Sequence, residues 1–223
     1  MVEELLRKLE KNVERATEKG VQWTARYAPL YGQIARLRSA MERWTGAKVT
    51  GEWVERAVGA CWTVSRLVNE VFADHTQDLS MDRSVLIEDD AAPTAQMLYV
   101  CCWRCIREVS LFLTELLTGR LVPSASLSRI QEVFLWSISQ LFMTRHTGTF
   151  ETLAEQIHKL SVLLVEKHGE AGKAVVVSSL GDIVEEVTGA WSSPLQPENT
   201  RRSAGVPRLW CILYRFGQLW RAG

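Results

Sequence analysis

Leu98-Tyr99-Val100-Cys101-Cys102-Trp103-Arg104-Cys105-Ile106-Arg107-Glu108-Val109-Ser110-Leu111-Phe112-Leu113-Thr114-Glu115-Leu116-Leu117 is the stretch that decides the fold. Leu98, Cys102, Ile106, Val109, Leu113 and Leu116/Leu117 return at three- and four-residue steps, which places them on one face of a helix. Gly119 and Pro123 then stop it. The same period runs outward in both directions. Upstream, Met1 to about Lys19 pairs Glu3 with Arg7 and Glu4 with Lys8 around a narrow stripe of Leu5, Leu6, Leu9 and Val13. A second helix is predicted over Val21–Trp44, bent or interrupted near Pro29 and Gly32, and a third over Gly51–Phe72. Ala73–Pro93 reads as an Asp-rich loop. Downstream, helices are predicted over Ser126–Met143, Phe150–His168 and Lys173–Gly189, with a last one beyond the Pro-bearing loop Ser192–Asn199. Val175-Val176-Val177 is too short a β-branched run to argue for a strand between helical periods. An all-α chain is expected, either a bundle or an α-solenoid.

Composition narrows the class without naming a partner. Of 223 residues, 47% are apolar and 23% charged, and 26 Lys+Arg balance 26 Asp+Glu, so net charge says nothing about nucleic acid. Its distribution says more: Arg201, Arg202, Arg208, Arg215 and Arg221 fall in Thr200–Gly223 without one Asp or Glu. The 9 tryptophans are best read as apolar bulk between helices. The charged first twenty residues do not fit a signal peptide, and no uncharged run approaches the ~20 residues that span a bilayer. Five cysteines, an odd number, without a secretory signal point to reduced thiols in the cytosol or nucleus, and a cytoplasmic location is expected.

Few constellations suggest chemistry. Cys102-x-x-Cys105, with Cys101 beside it, lacks the second pair that structural zinc needs, and Cys61 and Cys211 stand alone. No metal and no cofactor is expected. Glu88-Asp89-Asp90 reads as a solvated loop feeding a helix N-terminus. Arg104 and Glu108 stand four residues apart and are expected to pair, with Arg107 beside them. Arg145-His146-Thr147-Gly148 falls at a helix–helix corner, where Gly148 would supply a backbone angle and His146 would bond to backbone. In Arg201-Arg202-Ser203-Ala204-Gly205-Val206-Pro207-Arg208, a helix would align Arg201, Arg208 and Arg215 every seven residues, drifting only ~20° per step. Pro207 would bend that helix, and Ala204 and Gly205 would let a backbone or ligand approach.

Three of these segments, in this order, resemble the central domain of the THADA family. They are Cys102-Trp103-Arg104-Cys105-Ile106-Arg107-Glu108-Val109-Ser110-Leu111, Thr144-Arg145-His146-Thr147-Gly148-Thr149-Phe150-Glu151 and Arg201-Arg202-Ser203-Ala204-Gly205-Val206-Pro207. The resemblance covers about residues 85–217. Val206, Arg107 and Thr114 depart mildly from the family pattern, Thr147 and Thr149 more sharply, since Thr147 stands where the pattern has a positive charge. The resemblance implies an armadillo/HEAT-like α-solenoid fragment, with weakly matching repeats over 1–84 and the conserved domain over 85–223. It also implies a non-catalytic scaffold for a separate tRNA ribose 2′-O-methyltransferase acting on the anticodon loop at nucleotide 32. Its partners would be that catalytic subunit and tRNA itself, with no membrane. Arg201, Arg202, Ser203, Ala204, Gly205, Pro207 and Arg208 would form the contact motif, with Trp103, Arg104, Arg107, Glu108, Arg145 and His146 as secondary candidates. No Gly-x-Gly-x-x-Gly follows a strand, so the chain is not expected to be the enzyme. The alternative is a HEAT-type protein adaptor with no RNA role. If the chain is a piece of a longer solenoid, a last helix carrying Trp210, Leu213, Phe216 and Trp220 is expected to leave part of its apolar face uncovered.

Overall fold

The computed structural model describes residues 1–44, 49–78, 95–119, 125–144 and 146–192. The expected features of Arg145, the Glu88–Asp90 run and everything from Ser193 onward, including the arginine motif and the last helix, lie outside them. Among the described residues the chain is all-α, of helical-repeat type, with no strand. Val175–Val177 is helical. The chain divides into two compact units, Met1–Glu115 and Leu116–Gly223.

In the first unit, α1 (Val2–Lys19) is the hub: it packs against α2 (Val21–Tyr27), α3 (Leu30–Glu42) and α4 (Gly51–Asp78). Its buried stripe is Val2, Leu6, Leu9, Val13 and Ala16. Buried Asn12 sits among them and is satisfied twice, donating to Lys8 O at 3.0 Å and to Gln33 Oε1 at 2.9 Å. Gln33 in turn donates to Ala28 O at 3.1 Å, so one polar chain pins the break between α2 and α3. That break falls where Pro29 was expected to interrupt the helix, because proline cannot donate to the preceding turn. From α4, Arg56 reaches back to α1 and binds both Glu10 (2.6 Å) and Glu3 (3.0 Å). The helix α4 continues to Asp78, past the loop start expected at Ala73. Ala73–Asp78 is polar but holds no glycine or proline, so nothing in it stops a helix. Next comes α5 (Ala95–Thr118), with Cys102, Ile106, Val109, Leu113, Leu116 and Leu117 all buried as the sequence pattern requires.

In the second unit, α6 (Leu127–Met143) begins at Ser126, whose hydroxyl accepts the Arg129 N–H at 3.3 Å, a side-chain N-cap. It packs against α7 (Thr147–Ser192). Gly169 breaks α7 into two helical arms, with φ 52° and ψ −127°. Only glycine enters that region cheaply. Gly172 is constrained differently: a Cβ there would overlap the Leu164 carbonyl.

Candidate functional site

The described part of the candidate site is built on α5. The buried side of this helix is mostly apolar and includes the thiols, with Ser110 and Thr114 buried among them. Cys101, Cys102 and Cys105 are buried and unbonded, like Cys61 on α4. Burial pushes all four thiols up, Cys102 to about 12, so at neutral pH they are small hydrophobes rather than thiolates. Among the described residues no three His, Cys, Asp or Glu side chains converge on a point that could hold a metal.

The other side of α5 carries the charged candidates. Trp103 stacks on Phe72 of α4, with ring centroids 4.1 Å apart and planes 27° from parallel. Its ring therefore locks α5 to α4. Arg104 and Glu108 do not form the expected pair. Arg104 lies over Tyr31 of α3, its guanidinium carbon 5.2 Å from the ring centre, and donates to the Tyr31 hydroxyl at 3.3 Å. Glu108, only 6% exposed, is held between Arg38 Nη2 at 3.4 Å and Arg107 Nη1 at 2.8 Å. Arg38 also binds Glu42 (3.0 Å) and Glu115 (3.6 Å), so it is the centre of a four-residue charge cluster with those two and Glu108. A helix-spacing rule sees partners only along one helix; α3 supplies better-placed ones. Arg38 was missed for the same reason: its position 70 residues before Glu108 leaves no local trace in the sequence. Arg107 stands at the surface with one face anchored to Glu108, a geometry that holds a guanidinium ready for an outside anion.

His146 does what a corner histidine was expected to do. Its Nδ1 accepts the Thr149 N–H at 3.2 Å, and its carbonyl accepts the Phe150 N–H at 2.9 Å, so it caps α7. The expected use of Gly148 is corrected. It is helical, with no positive φ, and a Cβ there would stand 3.4 Å from His146 Cε1, an ordinary van der Waals contact. Thr149, a departure from the family pattern, is buried at 1% exposure with its hydroxyl 3.3 Å from His146 Nδ1.

The α5 cluster and the His146 corner are two of the three segments that carried the resemblance. The sequence model of the family described as THADA/TRM732, DUF2428 matches residues 52–214, which takes in all three. The chain belongs to the THADA/TRM732 family. The match starts at residue 52, on α4, earlier than the residue-85 start expected for the conserved domain. Curated relatives agree. The chain is 32% identical over 123 residues to the tRNA (32-2′-O)-methyltransferase regulator THADA of Homo sapiens, and 31% identical over 122 and 124 residues to those of Mus musculus and Gallus gallus. In each case the matched segment is 51% of this chain and 6% of the relative. No solved structure matches the chain. Among the described residues no helix is long and apolar enough to cross a membrane.

Proposed function

We propose that this chain is part of an armadillo/HEAT-like, non-catalytic regulatory subunit that supports ribose 2′-O-methylation of the tRNA anticodon loop, at nucleotide 32, by a separate cytoplasmic methyltransferase. The observation that carries this is the family match over 52–214, which includes the whole Arg201–Arg208 motif, together with the regulator name of the relatives. The described chemistry supports it. The buried thiols are held protonated, and the charged face of α5 is made of anchored arginines suited to binding. Arg201, Arg202 and Arg208 are the residues assigned to the partner or to tRNA phosphate, with Ala204, Gly205 and Pro207 part of the same motif. Arg104 and Arg107 are secondary contacts.

The test is Arg201→Ala with Arg202→Ala in the full-length protein, read as methylation at nucleotide 32. Loss of methylation with the fold intact is expected. If the arginines bind phosphate, tRNA binding also loses roughly one unit of salt slope per arginine. If they clamp the methyltransferase, complex formation weakens and tRNA binding does not. Wild-type methylation would reject the assignment and favour the adaptor reading.

A further inference from the structure

Besides its buried stripe, α1 carries a cationic one. Lys8, Lys11, Arg15 and Lys19 follow each other at steps of three and four residues. At about 100° per residue they fall within an arc of roughly 80°. Glu4, at the start of the helix, is the one carboxylate in that arc; Glu14 and Glu18 lie to its side. The four-residue step then continues past the helix end at Gly20, but in aromatic residues: Trp23, Tyr27 and Tyr31.

Structure joins the two halves. Arg15 and Lys19 lie over the Trp23 ring, at 5.8 and 5.2 Å from its centre. Trp23 and Tyr27 are 5.4 Å apart, tilted by 41°, and Arg26 lies 5.3 Å from the Tyr27 ring centre. Arg104 on Tyr31 closes the series. Among the described residues none of Arg15, Lys19, Arg26 and Arg104 forms an ion pair, whereas Arg7, Arg38, Arg56 and Arg66 all do. Positive charge without acidic partners is concentrated here beside three aromatic rings. Tyr27 is 61% exposed, the most exposed of the three rings.

We propose that this α1–α2 ladder binds single-stranded RNA, with Lys8, Lys11 and Lys19 on successive phosphates and Tyr27 under a base. It rests on the RNA-linked function proposed above, and it lies before residue 52, where the family match starts. An acidic peptide would use the cations and leave the rings idle. A duplex hides its base faces in the stack. Only an unpaired strand offers both groups at once, since every base has a stacking face and phosphates follow along the backbone.

Anisotropy of a short labelled uridine-rich RNA, titrated with the full chain over a range of salt, tests this. Duplex RNA and polyglutamate serve as competitors, and circular dichroism monitors folding. Tyr27→Ala should weaken binding roughly five- to hundredfold, and Tyr27→Phe should restore it. Lys11→Gln with Lys19→Gln should lower the salt slope by about 1.4, or roughly 0.7 per lost contact on a single strand. Unchanged binding by folded Tyr27→Ala overturns the proposal, as does polyglutamate or duplex competing as well as the single strand. The assay contains no methyltransferase. Loss of the ladder's effect here therefore leaves the Arg201 and Arg202 methylation test standing. Wild-type methylation in that double variant, beside Tyr27-dependent RNA binding, would remove the regulator reading and keep the ladder.

Discussion

Among the described residues, each of the two compact units is held by different internal chemistry. In Met1–Glu115, charged and polar side chains run between helices: Arg56 to Glu3 and Glu10, Arg38 to Glu108 and Glu115, Asn12 to Gln33. In Leu116–Gly223, the ion pairs Arg129–Glu132, Lys159–Glu155 and Lys173–Glu170 are three or four residues apart along their own helices. There α6 meets α7 through a seam with Ile130, Val133, Phe134 and Leu141 on one side and Leu153, Ile157, Leu160 and Leu164 on the other, all buried. Apolar seams tolerate salt and acid. Networks between helices add geometric selectivity at the expense of sensitivity to both. The first unit carries the anchored arginines of α5 and the aromatic ladder beside its charge networks, whereas the Arg201–Arg208 motif belongs to the sequence of the second.

The largest expected effect tests the seam. Phe134 is fully buried on α6, so Phe134→Ala should lose about 3–5 kcal/mol in urea denaturation, nearly the same at low and high salt. Arg56→Ala is the counterpart: its cost should shrink as salt rises, because its partners are partly exposed charges. A Phe134→Ala loss below about 1 kcal/mol would mean that the seam does not hold α6 on α7.

How much of this was legible depends on the reach of each signal. The helices followed from periodicity because burial on one face repeats every three to four residues, and the break at Pro29 followed from backbone chemistry, while the break at Gly169 falls between the helices expected over Phe150–His168 and Lys173–Gly189. Gly148 was misread because a glycine in sequence signals freedom of φ, whereas here the residue is simply helical and a Cβ would make only ordinary contacts. Glu108 was paired with Arg104, but its partners are Arg107 beside it and Arg38 from another helix, and no spacing rule reaches the second. The arginine motif was readable as a pattern of residue types, which needs no geometry. The ladder was hidden because Gly20 and Pro29 turn the chain, and only the folded corner shows that the rings receive the cations.

A middle-sized effect belongs to the corner before α7. His146 satisfies one free N–H of the helix start, so His146→Ala should cost about 1 kcal/mol and His146→Asn much less. The loss should appear as faster amide exchange at Thr149 and the residues next to it. Equal costs for the alanine and asparagine variants would show that ring packing, not capping, is what His146 contributes.

The smallest effect separates two carboxylates inside the charge-laced unit. Hydrogen bonding from Arg56 holds Glu3 below the ordinary value of 4.5, against the opposing effect of burial. Its contribution is therefore complete above 4.5 and is lost as pH falls through the lower folded value. Glu115 runs the other way. Burial raises it, the charge of Glu42 adds to the rise, and Arg38 opposes it. Ionising Glu115 thus costs the folded state, and stability falls as pH rises from 4.5 through the higher folded value. Denaturant midpoints followed from acid to neutral pH should then move oppositely. Glu3→Gln lowers the neutral plateau and flattens the acid-side drop, whereas Glu115→Gln holds or raises the plateau. If both variants lower neutral stability alike, the Arg38 contact outweighs the burial of Glu115, and this unit's charges are all attractive in net effect.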